Sequence, residues 1–583
     1  MLHTLTRSLR ENKGPALVTV LLSALEVVFE IVIPLFMSNL IDFGIEGGSM
    51  AAVWKFGAFL LLLAAFQLST GVLAARIAAR ASVGFAANLR EDMYDNVQTF
   101  AFSNIDKFST ASIVTRLTTD TTNVQNAFQM LMRMAIRAPV MLIFSMIVSF
   151  RISRDISMTF LIILPILALA LFFIIRSVFP VFSRVFRTYD ELNNVVQENV
   201  RGIRVVKSFN QERHEIGKFG AISERIYKDF SKGERLITLN APLMQFCIYT
   251  CMIVISWLGA KAIIASGNDP ALGLTTGNLT ALITYTMQIL SSLMMLSMVF
   301  AMLTISLSSA RRIAEVLEER SDIPQPEQPV MTVRDGAVDF DHVSFVYASK
   351  ADKKVLDDID LHIRSGETVG VIGGTGASKS SLVQLIPRLY DVTGGKLTLG
   401  GVDVRDYDLD TLRGAVAMVL QKNELFSGTI AENLRWGNEN ATDEQLRHAC
   451  KLACADEFIS AMPDGYDTHI EQGGTNVSGG QKQRLCIARA LLKKPKVLIL
   501  DDSTSAVDTR TDAQIQQALS TYIPDTTKII IAQRISSVQN ADRIVVLDDG
   551  HIDAVGSHDE LLRTCEIYRE VYESQQKGGE DDA

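Results

Sequence analysis

The stretch VIGGTGASKSSLVQLI, residues 371–386, decides how the second half of this chain is interpreted. A strand-like apolar run leads into a glycine-rich turn and then a helical pattern, which is the setting of a phosphate-binding loop. Backbone N–H groups of such a turn and of the following helix point at phosphate oxygens. In this pattern Lys379 neutralises phosphate charge and the Ser380 hydroxyl ligates Mg²⁺. The predicted loop residues are Gly373, Gly374, Thr375, Gly376, Ala377, Ser378, Lys379, Ser380 and Ser381.

One position departs from the pattern G-x-x-x-x-G-K-[ST], because Ser378 stands where a second glycine is expected. Serine keeps the backbone N–H group that binds phosphate, but it adds a Cβ and a hydroxyl where the loop approaches the phosphate closely. We therefore interpret the loop as modified rather than broken.

The composition points to a membrane protein with more than one domain. The chain has 583 residues, of which 48% are hydrophobic, and a mean hydropathy of +0.20. Its formal net charge of −9 gives no reason to expect a nucleic-acid partner, which would require a basic face. The six cysteines lack C-x-x-C spacing and are interpreted as reduced, buried side chains.

Long uncharged stretches fill residues 1–320, which we predict to be a transmembrane domain of six helices with long cytoplasmic extensions. The long connections carry most of the Lys and Arg, so they should be cytoplasmic together with the N-terminus. Coupling segments that press on the second domain are expected near Ser109–Asp120 and Gln211–Phe219. The predicted spans are Pro15–Ile41, Ala52 to about Ala75, about Ala138 to Phe150, Ile156–Ile175, Ile237–Ala260 and Leu279–Ala310.

The second domain, residues 321–583, begins in the proline-rich linker SDIPQPEQPV and alternates strand-like with helical patterns, as an α/β nucleotide-binding domain does. The strand VLILDD, residues 497–502, ends in two carboxylates, and Asp501 is predicted to hold the Mg²⁺ shell. Shortly before it stands NVSGGQKQRLCIARAL, residues 476–491, which opens a helix.

An SGGQ signature between a phosphate loop and such a strand resembles the ATP-binding cassette family. The remaining motifs of that family follow in order: Tyr347 in VSFVY as the adenine-stacking aromatic, Gln421 in MVLQKNELF as the Q-loop, and SAVD, residues 505–508, as the D-loop with Asp508. Six spans fused ahead of one cassette resemble a half-transporter of the exporter type.

The resemblance implies that ATP and Mg²⁺ are bound between two cassettes, so a second half-transporter subunit is needed. One cassette supplies the phosphate loop, the Walker B strand and the switch residue, and the other supplies the signature. The implied metal ligands are Ser380, Gln421 and Asp501. The implied signature residues are Ser478, Gly479, Gly480 and Gln481.

Two further positions depart from the family pattern on the phosphate side. Asp502 stands where a glutamate normally orients the attacking water, and Gln533 replaces the switch histidine. Asp502, Gln533 and Gln421 are the candidate catalytic residues. With Ser378, these changes resemble the degenerate half of a heterodimeric exporter, whose partner would have the glutamate, the histidine and an altered signature.

The transported substrate is less defined by the sequence. Glu26 and Glu30 lie one turn apart in the first span, where they either contact substrate, pair with Arg133 or Arg137, or lie near the headgroups. Methionines in the spans favour amphiphilic, drug-like substrates exported across the cytoplasmic membrane of a bacterium. A dedicated lipid or peptide exporter, and a nucleotide-sensing regulator with little pumping, are the alternatives.

Overall fold

A computed structural model describes two units of this chain. Contacts place Met1–Gln98 with Thr110–Glu319 in the first unit, and Thr99–Ser109 with Arg320–Ala583 in the second. The residues described are 1–269, 273–347, 354–374, 376–503 and 507–580.

The chain begins with a series of mostly long helices. Within the described residues, six helical stretches are long and apolar enough to cross a membrane, which confirms the predicted six-span architecture. Those stretches are Arg10–Glu46, Met50–Gln98, Thr110–Ile152, Arg154–Arg201, Glu212–Ser266 and Thr276–Phe300. The helices themselves are α1 (Leu2–Arg7), α2 (Lys13–Asn39), α3 (Met50–Gln98), α4 (Phe102–Lys107), α5 (Thr110–Thr115), α6 (Thr121–Ile152), α7 (Arg154–Arg201), α8 (Ile203–Ser208), α9 (Glu212–Thr238), α10 (Asn240–Ser266) and α11 (Thr276–Glu318).

The short helix α4 belongs to the second unit. The Tyr390 hydroxyl donates to Asp106 Oδ2 at 2.8 Å, and Asn104 Nδ2 donates to the Arg320 carbonyl at 2.9 Å. The stretch grouped with the second unit, Thr99–Ser109, ends where the expected coupling segment Ser109–Asp120 begins. A coupling role for this segment and for Gln211–Phe219 stays a prediction. A helix of six residues leaves no periodic signal long enough to locate it in the sequence.

Over its described residues, the second unit is an α/β domain with three sheets. The largest has the strand order β12-β11-β3-β10-β9-β6, and a four-stranded sheet has the order β2-β1-β4-β5. The strands are β1 (Val338–Phe345), β2 (Leu356–Ile363), β3 (Thr368–Gly373), β4 (Gly394–Leu399), β5 (Val402–Asp403), β6 (Val416–Val419), β7 (Gly428–Thr429), β8 (His469–Ile470), β9 (Val497–Asp501), β10 (Thr527–Ile531), β11 (Arg543–Asp548) and β12 (His551–Gly556). The helices are α12 (Lys379–Gln384), α13 (Leu409–Ala415), α14 (Ile430–Arg435), α15 (Asp443–Leu452), α16 (Asp456–Ser460), α17 (Gly479–Leu492), α18 (Thr509–Tyr522), α19 (His558–Thr564) and α20 (Glu566–Glu580).

The middle of the largest sheet is parallel and buried on both faces. Every residue of β9 and β10 is buried, as expected for parallel strands covered by helices. In register, Ile529 of β10 pairs with Val369 of β3 on one side and with Ile499 of β9 on the other. The carboxyl ends of β3, β9 and β10 therefore lie side by side, and this edge of the sheet positions the candidate site.

Candidate functional site

A cavity of about 530 Å³ opens at the carboxyl ends of β3, β9 and β10. It brings together eight of the nine predicted loop residues, the carboxylates of Asp501 and Asp502, and the candidate catalytic glutamines Gln421 and Gln533. Its lining consists of Gly373, Gly374, Gly376, Ala377, Ser378, Lys379, Ser380, Ser381, Gln421, Asp501, Asp502, Ile531 and Gln533. The predicted loop residue Thr375 lies outside the described residues.

The loop between β3 and α12 follows a path that favours glycine at two points. Gly376 has φ +88°, and Ser378 has φ +64° and ψ +21°. For a residue with a side chain, the left-handed conformation costs about 1–2 kcal/mol. A Cβ built on Gly374 or Gly376 would meet none of the described atoms within 4 Å, so the loop leaves open space for phosphate groups. Ser378 thus keeps the loop conformation at the cost of local backbone strain.

Lys379 is folded back over the loop. Its Nζ donates to the carbonyl oxygens of Gly373 and Gly374, both at 2.8 Å. Burial lowers the pKa of Lys379, whereas the neighbouring charges of Asp501 and Asp502 act in the opposite direction. The arrangement holds a cation at the centre of the loop, where phosphate charge would be neutralised.

The oxygen donors next to Lys379 fit a magnesium ion. Ser380 Oγ donates to Asp501 Oδ1 at 3.0 Å, at the end of the buried strand β9. Burial raises the pKa of Asp501, while the hydrogen bond from Ser380 and the charge of Lys379 lower it. Hydroxyl and carboxylate oxygens are the ligands that Mg²⁺ takes in nucleotide sites. Gln421 lines the same cavity and can add its amide oxygen.

Asp502 accepts hydrogen bonds from Gln533 and Gln421 through the same oxygen. Gln533 Nε2 lies 2.8 Å and Gln421 Nε2 lies 3.3 Å from Asp502 Oδ2. The backbone of Asp502 has φ +47°, and its N–H group donates to the Ile531 carbonyl at 2.9 Å. The side-chain amides of Gln533 and Gln421 thus orient the Asp502 carboxylate at the place where a general base would act. Neither amide can itself accept a proton.

Tyr347 lies beside the cavity rather than in its described lining. Its hydroxyl lies 2.8 Å from Ser381 Oγ, and its ring makes edge contacts with Phe345 and Tyr390. The side chain is 44% exposed, which leaves ring surface that can contact a base. The adenine-stacking role remains a prediction.

The signature residues form a helix cap at some distance along the chain from the loop. Ser478 is the N-cap of α17, where its Oγ accepts from the Gln481 N–H at 3.3 Å and its own N–H donates to Gln481 Oε1 at 2.9 Å. This reciprocal pair is a capping box that leaves the Ser478 hydroxyl exposed at the helix N-terminus. Gly479 and Gly480 form the first turn of α17.

Asp508 of the D-loop also caps a helix, because its carboxylate accepts from the Thr511 N–H at 2.9 Å at the start of α18. Neither Asp508 nor the signature residues belong to the cavity lining among the described residues. Ser505 and Ala506, which precede Asp508 in the D-loop, lie outside the described residues.

The two carboxylates of the first span are paired. Arg137 Nη1 lies 2.7 Å from Glu26 Oε1, and Arg137 Nη2 lies 2.7 Å from Glu30 Oε2. Arg133 lies farther away, 4.0 Å from Glu26 Oε2. Of the interpretations that the sequence allowed, pairing with arginine is the one found, and Arg137 rather than Arg133 is the principal partner.

Two residues at the site were not predicted from the sequence. Ile531 contributes to the cavity from the end of β10, where the strand pattern alone gives no functional signal. Gln575 of α20 donates through Nε2 to the Gln533 carbonyl at 2.7 Å and accepts at Oε1 from the Ile535 N–H at 2.9 Å. It belongs to no motif, so only the fold could identify it.

The described part of the chain joins a phosphate-loop cavity at the edge of a parallel sheet to six membrane-length helices, which is the arrangement of a transport ATPase. The comparisons with known proteins define the class further. Residues 16–294 match the ABC transporter transmembrane region, and residues 356–505 match the ABC transporter family model.

The most informative relatives are bacterial and cover almost the whole chain. The chain is 35% identical over 558 residues to the uncharacterized ABC transporter ATP-binding protein YfiB of Bacillus subtilis strain 168, covering 96% of each chain. It is 32% identical over 580 residues to the uncharacterized ABC transporter ATP-binding protein Rv1273c of Mycobacterium tuberculosis, covering 99% of this chain and 98% of the relative. The chain therefore belongs to the ATP-binding cassette (ABC) transporter family.

A solved structure agrees with the fold. The structure of a bacterial Atm1-family ABC exporter with ATP bound superposes with a TM-score of 0.82 at 24% identity, covering 97% of this chain and 99% of that one. The protein is a multi-pass membrane protein and an ATP-hydrolysing ABC transporter with the fold of that exporter. Exporters of this kind generally work as dimers of half-transporters, and their ATPase domains bind ATP and generally require Mg²⁺.

Proposed function

We propose that this chain is the degenerate-site subunit of a heterodimeric exporter. Its own phosphate-side site would hold ATP and hydrolyse it slowly, while the signature residue Ser478 would complete the competent site on the partner. The observation that carries this proposal is the pair of amide hydrogen bonds from Gln533 and Gln421 to one oxygen of Asp502.

A short carboxylate held by two amides is a poor general base. Asp502 is one methylene shorter than glutamate, so its carboxylate is withdrawn by about 1.5 Å, one carbon–carbon bond. Misplacement of a catalytic group on that scale can cost about 100-fold in rate. Gln533 can hydrogen-bond a γ-phosphate, yet it cannot carry a proton as a switch histidine does.

The binding functions of the same site are retained. Lys379, the loop N–H groups and the N-terminus of α12 would hold the phosphates of ATP. Ser380, Asp501 and Gln421 would hold Mg²⁺, which when bound neutralises phosphate charge. Ser378 adds backbone strain without removing an N–H group, so nucleotide holding is expected to survive at this site.

The expected features of the partner subunit are those that complement this chain's motifs. A site assembled from this chain's intact SGGQ signature is useful only opposite a phosphate side that has the glutamate and the switch histidine. The complex would lie in the cytoplasmic membrane of a bacterium, with the N-terminus and the nucleotide-binding domain in the cytoplasm, because the relatives are bacterial. Amphiphilic, drug-like molecules are the proposed substrates.

The proposal is tested by replacing Asp502 in the purified complex. We expect Asp502→Asn to lower steady-state ATP hydrolysis less than about threefold, whereas a working general base contributes about 10²–10⁴-fold. The matching replacement of the partner's Walker B glutamate should abolish turnover. Asp464→Asn, which changes an exposed carboxylate elsewhere in the second unit, is the matched control. Loss of hydrolysis in Asp502→Asn, or an active homodimer of this chain alone, would refute the proposal.

A further inference from the structure

The segment that follows β10 is held in place by the C-terminal helix α20. One carboxamide, that of Gln575, donates to the Gln533 carbonyl at 2.7 Å and accepts from the Ile535 N–H at 2.9 Å. Two backbone groups on either side of Arg534 are thus tied to a single side chain. Such a paired contact fixes the direction of the backbone as well as its distance from the helix.

Helix α20 is itself packed against the rest of the second unit, so the position of Gln575 is fixed. Tyr568 is completely buried, and its hydroxyl lies 2.7 Å from His558 Nδ1. Gln575 follows Tyr568 by seven residues, which places both on the same face of the helix. Further along the same segment, Ser537 Oγ donates to Asp512 Oδ2 at 2.6 Å. The segment is therefore fixed at both ends by contacts outside the nucleotide cavity.

Gln533, whose backbone carbonyl is bound by Gln575, lines the cavity with its side chain. The Gln533 backbone carbonyl is bound by Gln575, while Gln533 Nε2 donates to Asp502 Oδ2 at 2.8 Å. Because the backbone position sets where the side chain starts, a shift at the Gln575 contact moves the amide that faces the cavity. Displacements of about 1 Å are enough to alter a polar contact strongly.

We infer that Gln575 is a positioning residue for Gln533 and sets how well this chain distinguishes ATP from ADP. The inference rests on the proposed role of Gln533 as a contact of the γ-phosphate. ADP lacks that phosphate, so its binding depends on the loop and Lys379 and not on Gln533. A change at Gln575 therefore weakens ATP binding selectively.

The chain offers variants that separate this role from general stability. Gln575 is exposed, so Gln575→Ala opens no core cavity. Gln575→Glu keeps an acceptor for the Ile535 N–H but removes the donor to the Gln533 carbonyl. Gln576→Ala is the matched control, because Gln576 lies on the same helix and donates to the Tyr572 hydroxyl at 2.6 Å.

The experiment measures the dissociation constants of ATP and of ADP for the purified full-length chain, with a fluorescent nucleotide as the displaced probe. For Gln575→Ala we expect ATP affinity to fall about three- to tenfold, the effect of one lost hydrogen bond, while ADP affinity is unchanged. Gln575→Glu should behave alike, and Gln576→Ala should match the unaltered chain. Gln533→Ala combined with Gln575→Ala should be no weaker than Gln533→Ala alone, because the two act through one contact.

Each other outcome has a definite meaning. If Gln533→Ala weakens ATP binding and Gln575→Ala does not, the inference is overturned while the proposed role of Gln533 stands. If Gln533→Ala leaves the preference for ATP unchanged, that proposed role fails and the inference fails with it. Equal loss of ATP and ADP binding in Gln575→Ala would mean a general loosening of the domain, which also overturns the inference.

Discussion

Replacement of Ser478 by arginine is expected to stop hydrolysis by the assembled transporter while ATP binding to this chain's own loop persists. Ser478 lies at the N-terminus of α17 with an exposed hydroxyl, where the helix dipole and N–H groups favour a phosphate of the facing site. Arginine fills that space and removes the hydroxyl. Lys379 and its loop line a cavity whose described lining excludes Ser478, so that site is untouched.

The magnitude follows from two separate losses. The Ser478 Oγ caps the Gln481 N–H, and loss of an N-cap side chain costs about 1 kcal/mol of stability. Loss of a hydrogen-bond donor that acts on transition-state charge costs about 10²–10³-fold in turnover. Helix α17 has a largely buried core-facing side, including Leu485 and Ile487, so the cap loss alone does not unfold it.

The assay combines steady-state ATP hydrolysis with photo-cross-linking of azido-ATP to each subunit of the purified complex. Thr442→Ala is the matched control, because Thr442 caps α15 with Gln445 in the same reciprocal way but far along the chain from the signature. It should lose the capping energy and keep its activity. Ser478→Ala should lie between the two. Near-normal hydrolysis by Ser478→Arg would refute the assignment of this signature to an active site.

Two further predictions concern the loop and the membrane ion pairs. Lys379→Ala should weaken ATP binding to this chain roughly ten- to hundredfold, the effect of a charged hydrogen bond, and an unchanged dissociation constant in a nucleotide titration would contradict its role. Arg137→Met should lower the thermal transition of the detergent-solubilised protein, because it leaves the largely buried Glu26 without its closest partner; breaking a fully buried pair costs about 3–5 kcal/mol, and this partly buried pair should cost less. Arg133→Met, at 4.0 Å from Glu26, should have a smaller effect, and equal transitions for the two variants would contradict the pairing described.

Much of the architecture could be predicted from the sequence because its signals are local. Uncharged apolar runs of membrane length predict six spans, and a strand, glycine-rich turn and helix in sequence predict the phosphate loop. The departures from the family pattern at Ser378, Asp502 and Gln533 can also be read directly from the sequence. Each of these depends on residues that are neighbours in the chain, so short-range pattern and spacing are sufficient.

The remaining features depend on which distant residues meet, and only the tertiary structure decided them. Nothing in the sequence chose Arg137 over Arg133 for Glu26, or placed α4 in the second unit. The two hydrogen bonds to Asp502 come from side chains 31 and 81 residues away, and Gln575 reaches Gln533 across 42 residues. Such contacts are set by the packing of whole strands and helices, whose relative positions are fixed by the buried core rather than by any local preference of the chain.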